Sequence, residues 1–150
     1  MRIFNGLDEF VRARGEVLGT SDWLTVEQER VDGFADATDD HQWIHVDVER
    51  AKDGPFGGPI AHGYLTLSLL PAFFQQIYRV DGLRMAVNYG LNKVRFPALV
   101  PVGSKLRATA RLAEVTPMDG AAQAVVSTTI EAEGVDKPVC VAESVLRYFA

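Results

Sequence analysis

Residues 105–112 alternate strictly, with Leu106, Ala108, Ala110 and Leu112 set against Lys105, Arg107, Thr109 and Arg111. That period of two belongs to a strand with one face buried and one face wet. Runs of strand-forming residues at 85–91, 93–96, 122–133 and 139–149, with turn signals at 117–120 and 134–138, predict further strands. Connections this short join antiparallel neighbours. The first half of the chain follows another rule. Thr25 and Gln28 form a capping-box pattern, and Val31, Phe34 and Ala35 then recur at helical spacing. They predict an amphipathic helix over about residues 26–37. Thr38, Asp39, Asp40 and His41 are poor interior residues that stop it, and Asp47 is placed to cap another short helix ending near Gly54. Residues 38–46 are left as a connection.

The stretch from Asp53 to Pro59 is rich in Gly and Pro and reads as a loop delivering the chain to a helix over 61–78. Apolar residues surround that helix on nearly every face, as expected of an element wrapped by other structure. The segment also holds His62, Thr66, Ser68, Pro71, Gln75 and Gln76, too many polar and helix-breaking residues for a membrane span. The pattern therefore predicts an α+β fold, a long central helix wrapped by an antiparallel sheet of about five strands, in a single domain over 1–150. One sheet cannot cover every face of so apolar a helix, which predicts a homodimer.

Composition narrows the function classes. With 150 residues, 47% of them apolar, the chain can bury one sizeable core. Its net charge of −5, from 20 acidic and 15 basic residues, contains no block of like charge, so neither nucleic acid nor a membrane surface is the expected partner. The single cysteine, Cys140, lies in the apolar run Val139, Cys140, Val141, Ala142 and reads as a small buried hydrophobe. The first residues carry Asp8 and Glu9 and no signal-peptide pattern, which fits a cytoplasmic protein.

Four titratable residues, Asp39, Asp40, His41 and His45, fall within seven positions. On one helix Asp40 and His45 would stand about 140° apart, so they converge only if the chain bends between them. A carboxylate and an imidazole sharing one water make a general acid–base pair. Spacing alone equally allows a helix end followed by solvated loop residues. A metal at His41 and His45 is a third possibility, but Gln42 stands where a zinc-protease motif needs glutamate, and no further ligand is evident. Further on, Ile60, Ala61, His62, Gly63 and Tyr64 open the long helix, where free N–H groups can hold a developing oxyanion.

These residues resemble the MaoC-like, (R)-specific enoyl-CoA hydratases of the hot-dog fold. Phe34, Thr38, Asp40, Ile44, His45 and Ala51 match that family's first motif, and Phe56, Gly57, Ile60, Ala61, His62 and Gly63 its second. Lys93 to Pro97 and Val100 to Gly103 are similar to its strand and proline turn, and Asn88, Tyr89 and Gly90 resemble its nodulation-protein-N-like subgroup. Asp39, Gln42 and Trp43 depart from the usual Gly, Asn and Pro, and Pro71 stands where some members have serine. The resemblance implies an acyl-CoA substrate, reversible hydration of trans-2-enoyl-CoA, and no metal or other cofactor. It casts Asp40 and His45 as the water-activating pair and Gly63 as the oxyanion donor. Ile60, Ala61, His62, Val87, Asn88 and Tyr89 would contact substrate. A hot-dog thioesterase and a non-catalytic acyl-thioester-binding module remain the competing readings.

Overall fold

The computed structural model describes residues 1–150. The order of elements is β1 (Arg2–Phe4), α1 (Leu7–Arg12), β2 (Val17–Thr20), β3 (Leu24–Thr25), α2 (Gln28–Thr38), α3 (Trp43–Val46), α4 (Val48–Lys52), α5 (Gly63–Ser68), α6 (Leu70–Ile77), β4 (Tyr78–Val80), β5 (Met85–Arg95), β6 (Lys105–Met118), β7 (Ala121–Ala132) and β8 (Cys140–Phe149). The main sheet is antiparallel and runs β2-β6-β7-β8-β5, with β3 also paired to β6, while β1 and β4 form a small parallel pair.

The sheet therefore has six strands, not about five. The extra members are β2 and β3, which are four and two residues long. Neither is long enough to display a period. The runs at 85–91 and 93–96 are one strand, β5, with register shifts between Asn88 and Gly90 and between Leu91 and Lys93. Those irregularities interrupt the alternation that would have joined them.

The long helix over 61–78 is also corrected: α5 and α6 meet at Leu69. Pro71 has no N–H to offer the carbonyl of Leu67, so the ladder breaks there. The Leu69 N–H is shared between the carbonyls of Leu65 and Thr66. Within the chain only one side of this helical segment is covered. Leu65, Leu69, Leu70, Phe73 and Ile77 enter the core, whereas Tyr64, Ser68, Pro71 and Gln75 form an exposed stripe.

Leu106, Ala108, Ala110 and Leu112 are fully buried on β6, as their alternation requires. Cys140 is buried too, and desolvation pushes its thiol up to about 11, so it is a packing residue. β5 behaves differently. Met85, Val87, Tyr89 and Leu91 are 43–59% exposed along this edge strand. No helix is long and apolar enough to cross a membrane.

Candidate active site

Helix α2 begins at Gln28 with Glu27 as N-cap, and no side chain closes it. The capping box expected from Thr25 does not form, because Thr25 belongs to β3 and the helix starts two residues later than such a cap requires, with Gln28 as its first residue. Its amide donates to Asp32 and, at 2.8 Å, to the carbonyl of His45. At the other end Asp39 adopts a left-handed conformation, φ 59°, and turns the chain sharply. Asp40 follows in the bend, and His45 sits on the one-turn helix α3, which lies inside the stretch expected to be a plain connection. The bend does what the spacing demanded. Ligand-capable atoms of Asp40, His45 and His62 lie within 4.8 Å of one another.

The protons in this cluster follow from the hydrogen bonds. His45 Nδ1 lies 2.6 Å from the carbonyl oxygen of Ile60, which can only accept, so Nδ1 carries the proton and Nε2 keeps its lone pair. His45 is 7% exposed, while the Asp40 side chain is 54% exposed. The pair thus has one anchored, buried partner and one that meets solvent. A water bonded at about 2.8 Å to each of two acceptors spans a gap of up to about 5.6 Å, so one water can touch both.

The segment 60–63 builds the wall behind the pair. Ile60 N–H donates to the carbonyl of Ile44, Ala61 N–H to that of Val100, and Val102 N–H to that of Pro59. This locks the segment between α3 and the turn before β6. Ile60, Ala61 and His62 are 3–6% exposed. They back the pair through a carbonyl, a backbone N–H and a buried ring. His62 Nε2 donates to the carbonyl of Asp40 at 2.9 Å.

Gly63, the first residue of α5, has an N–H with no protein acceptor. A Cβ at this position would come within 3.1 Å of the Phe96 ring, so glycine lets that ring pack closely on the start of α5. Asn88 and Tyr89 line a cleft of about 390 Å³ between β5 and the helical stripe, together with Leu67, Pro71, Phe74 and Leu91. Val87 is exposed on the same strand but does not line it. His41 stands apart from the pair. It lies 2.8 Å from Asp36, which raises its pKa. The His41–His45 metal reading loses its first ligand in this way. In the Asp40, His45 and His62 group, Nε2 of His62 donates to the Asp40 carbonyl and its Nδ1 has no partner.

Sequence reasoning missed Gln28 and the carbonyl of Ile60, the two groups that hold the imidazole of His45 and its backbone. The Gln28 side chain could have been questioned only as an alternative to the capping box. A backbone carbonyl leaves no mark in a sequence.

Residues 9–135 match the family model described as MaoC like domain. The 3-hydroxyacyl-thioester dehydratase Z of Mycobacterium tuberculosis is 59% identical over 151 residues, covering all of both chains. Nodulation protein N of Rhizobium leguminosarum bv. viciae is 46% identical over 132 residues, 85% of this chain and 81% of that protein. Among solved structures, a monoamine oxidase regulatory protein from Archaeoglobus fulgius superposes with a TM-score of 0.79 at 26% identity, over 99% of this chain and 97% of the other.

Proposed function

Because the chain belongs to the MaoC-like dehydratase family, we infer that it is a hydro-lyase that adds water reversibly to the double bond of a trans-2-enoyl thioester, acting as an (R)-specific enoyl-CoA hydratase and, in reverse, a 3-hydroxyacyl-CoA dehydratase. The observation that carries this reading is the approach of Asp40 and His45 to within 4.8 Å, a separation that one water can bridge, with His45 Nδ1 committed to the carbonyl of Ile60. His45 Nε2 takes a proton from that water while Asp40 holds and aims it. The water oxygen bonds to the β-carbon, and the π electrons move toward the thioester oxygen. The N–H of Gly63 meets the developing negative charge, an effect of about 3–4 kcal/mol for one well-placed donor. The proton is returned at the α-carbon, so one whole water is added. The relative named a 3-hydroxyacyl-thioester dehydratase supports the same reaction run in the reverse direction.

The acyl chain is assigned to the exposed stripe of α5 and α6. The cleft begins at Leu67, one helical turn or about 6 Å from Gly63, and is lined by Asn88 and Tyr89. Val87 would contact substrate only at the mouth. Stereochemistry gives the sharpest test of the (R) assignment. With (R)- and (S)-3-hydroxybutyryl-CoA supplied separately, the conjugated-thioester absorbance should rise only with the (R) form. An equal rate, or a preference for (S), would sink it.

The hot-dog arrangement, with the helical segment fully wrapped, is completed by a second copy of the chain. The outer edge of β5 is unpaired and its Met85, Val87, Tyr89 and Leu91 are exposed, next to the open helical stripe. A run of apolar residues on a free edge is what a self-complementary partner covers. Sedimentation velocity at micromolar concentration should give a dimer, and Val87→Lys with Leu91→Lys should give a monomer. A wild-type protein that is monomeric and fully active would refute this assembly.

A further inference from the structure

Asp40 lies in a bend, between the left-handed Asp39 and α3, with its carboxylate open to solvent. Its side chain is poorly tethered, since the Gln42 N–H approaches Oδ1 only at 3.5 Å. The strongest hold on this residue is the 2.9 Å bond that its carbonyl accepts from His62 Nε2. The same imidazole stacks on His45, ring centroids 3.8 Å apart and planes 24° apart, and its position is set by the Phe34 ring at 4.9 Å. His62 is thus the one side chain that touches both members of the pair.

We propose that His62 is a positioning residue for water addition: its Nε2–H pins the main chain of Asp40 while its ring backs that of His45. Donation to a carbonyl requires a proton on Nε2 of His62, whereas His45 donates from Nδ1. The Nδ1 of His62 is buried without a partner. At 3% exposure its ring has almost no surface to offer a substrate. Holding a reacting group to within a fraction of an ångström is worth large factors in rate, since a misplacement of 1 Å can cost about 100-fold.

The inference rests on the hydratase reading for its kinetic arm alone. The chain has 3 histidines, so long-range ¹H–¹⁵N spectra of the wild-type protein at neutral pH can be assigned with His41→Gln and His62→Gln. The expected result is a proton on Nε2 of His62 and on Nδ1 of His45, and a His62 whose Nε2 carries no proton overturns the proposal. In kinetics, His62→Phe keeps a stacking ring and loses the donor. It should lower kcat about 10–100-fold with KM within about threefold, and His62→Gln, whose amide can reach the Asp40 carbonyl, should recover most of the rate. A raised KM at unchanged kcat would make His62 a substrate contact, and unchanged kcat in both variants would leave only packing. Either result overturns the proposal. If His62→Phe fails to fold, the tautomers and His62→Gln still decide. A wild-type protein that hydrates no trans-2-enoyl-CoA would instead defeat the hydratase reading, while the tautomers, read without substrate, still test the tether.

Discussion

Replacing His45 by glutamine, or Asp40 by asparagine, is expected to lower kcat for hydration of a short trans-2-enoyl-CoA by about 10²–10⁴-fold, the usual worth of a positioned general base. KM should move only a few-fold, because neither group binds the acyl chain or the CoA portion. The loss follows from the lone pairs. Glutamine can still donate to the carbonyl of Ile60, as His45 Nδ1 does at 2.6 Å, but it has no nitrogen that accepts a proton. Asparagine keeps the shape of Asp40 and gives up its charge. Asp40 is half exposed and the glutamine preserves a buried contact, so thermal melts should stay near wild type and separate lost chemistry from lost folding. A rate within a few-fold of wild type for either variant would remove that residue from the mechanism.

Phe73→Ala is expected to destabilise the protein by about 3–5 kcal/mol, because a fully buried ring leaves both its transfer energy and a cavity behind. Against a total stability of about 5–15 kcal/mol this is a large share. The melting temperature should fall by roughly 10 °C or more. Gln75→Ala, two residues away on the exposed side of α6, should change stability by no more than about 0.5 kcal/mol. The contrast tests whether the helical segment is buried on one side within the chain. Comparable losses at both positions, in calorimetric or urea unfolding, would contradict that arrangement.

The sheet was legible wherever a strand hid one face from water. At Leu106, Ala108, Ala110 and Leu112 the alternation reports burial directly, and the structure buries all four. The pattern misled at β5, whose apolar residues promise burial that the chain itself does not supply. Hydrophobicity records that a surface is to be covered and does not say by what. It misled again at 61–78, where continuous apolar character concealed the break that Pro71 imposes.

The convergence of Asp40 and His45 was legible, because their spacing brings them together only across a bend. The way it is held was not legible. Gln28 spends its amide on the carbonyl of His45, Ile60 contributes a carbonyl, and His62 faces backward from the N-cap of α5. Such contacts depend on which backbone groups meet after folding. Motif matching reads side-chain identity and cast Ile60, Ala61 and His62 as substrate contacts; what it does not show is that all three are buried and that Ile60 and His62 hydrogen-bond to the pair.

The most direct test follows one assay on two proteins, the wild-type chain and the Asp40→Asn, His45→Gln double variant, each mixed with a short trans-2-enoyl-CoA while conjugated-thioester absorbance and free thiol are recorded together. The expected result is saturable loss of absorbance without thiol release in the wild type. The double variant should be about as slow as the worse single variant, because the two groups act on one water. Thiol release by the wild type, or undiminished hydration by the double variant, would contradict water addition by this pair.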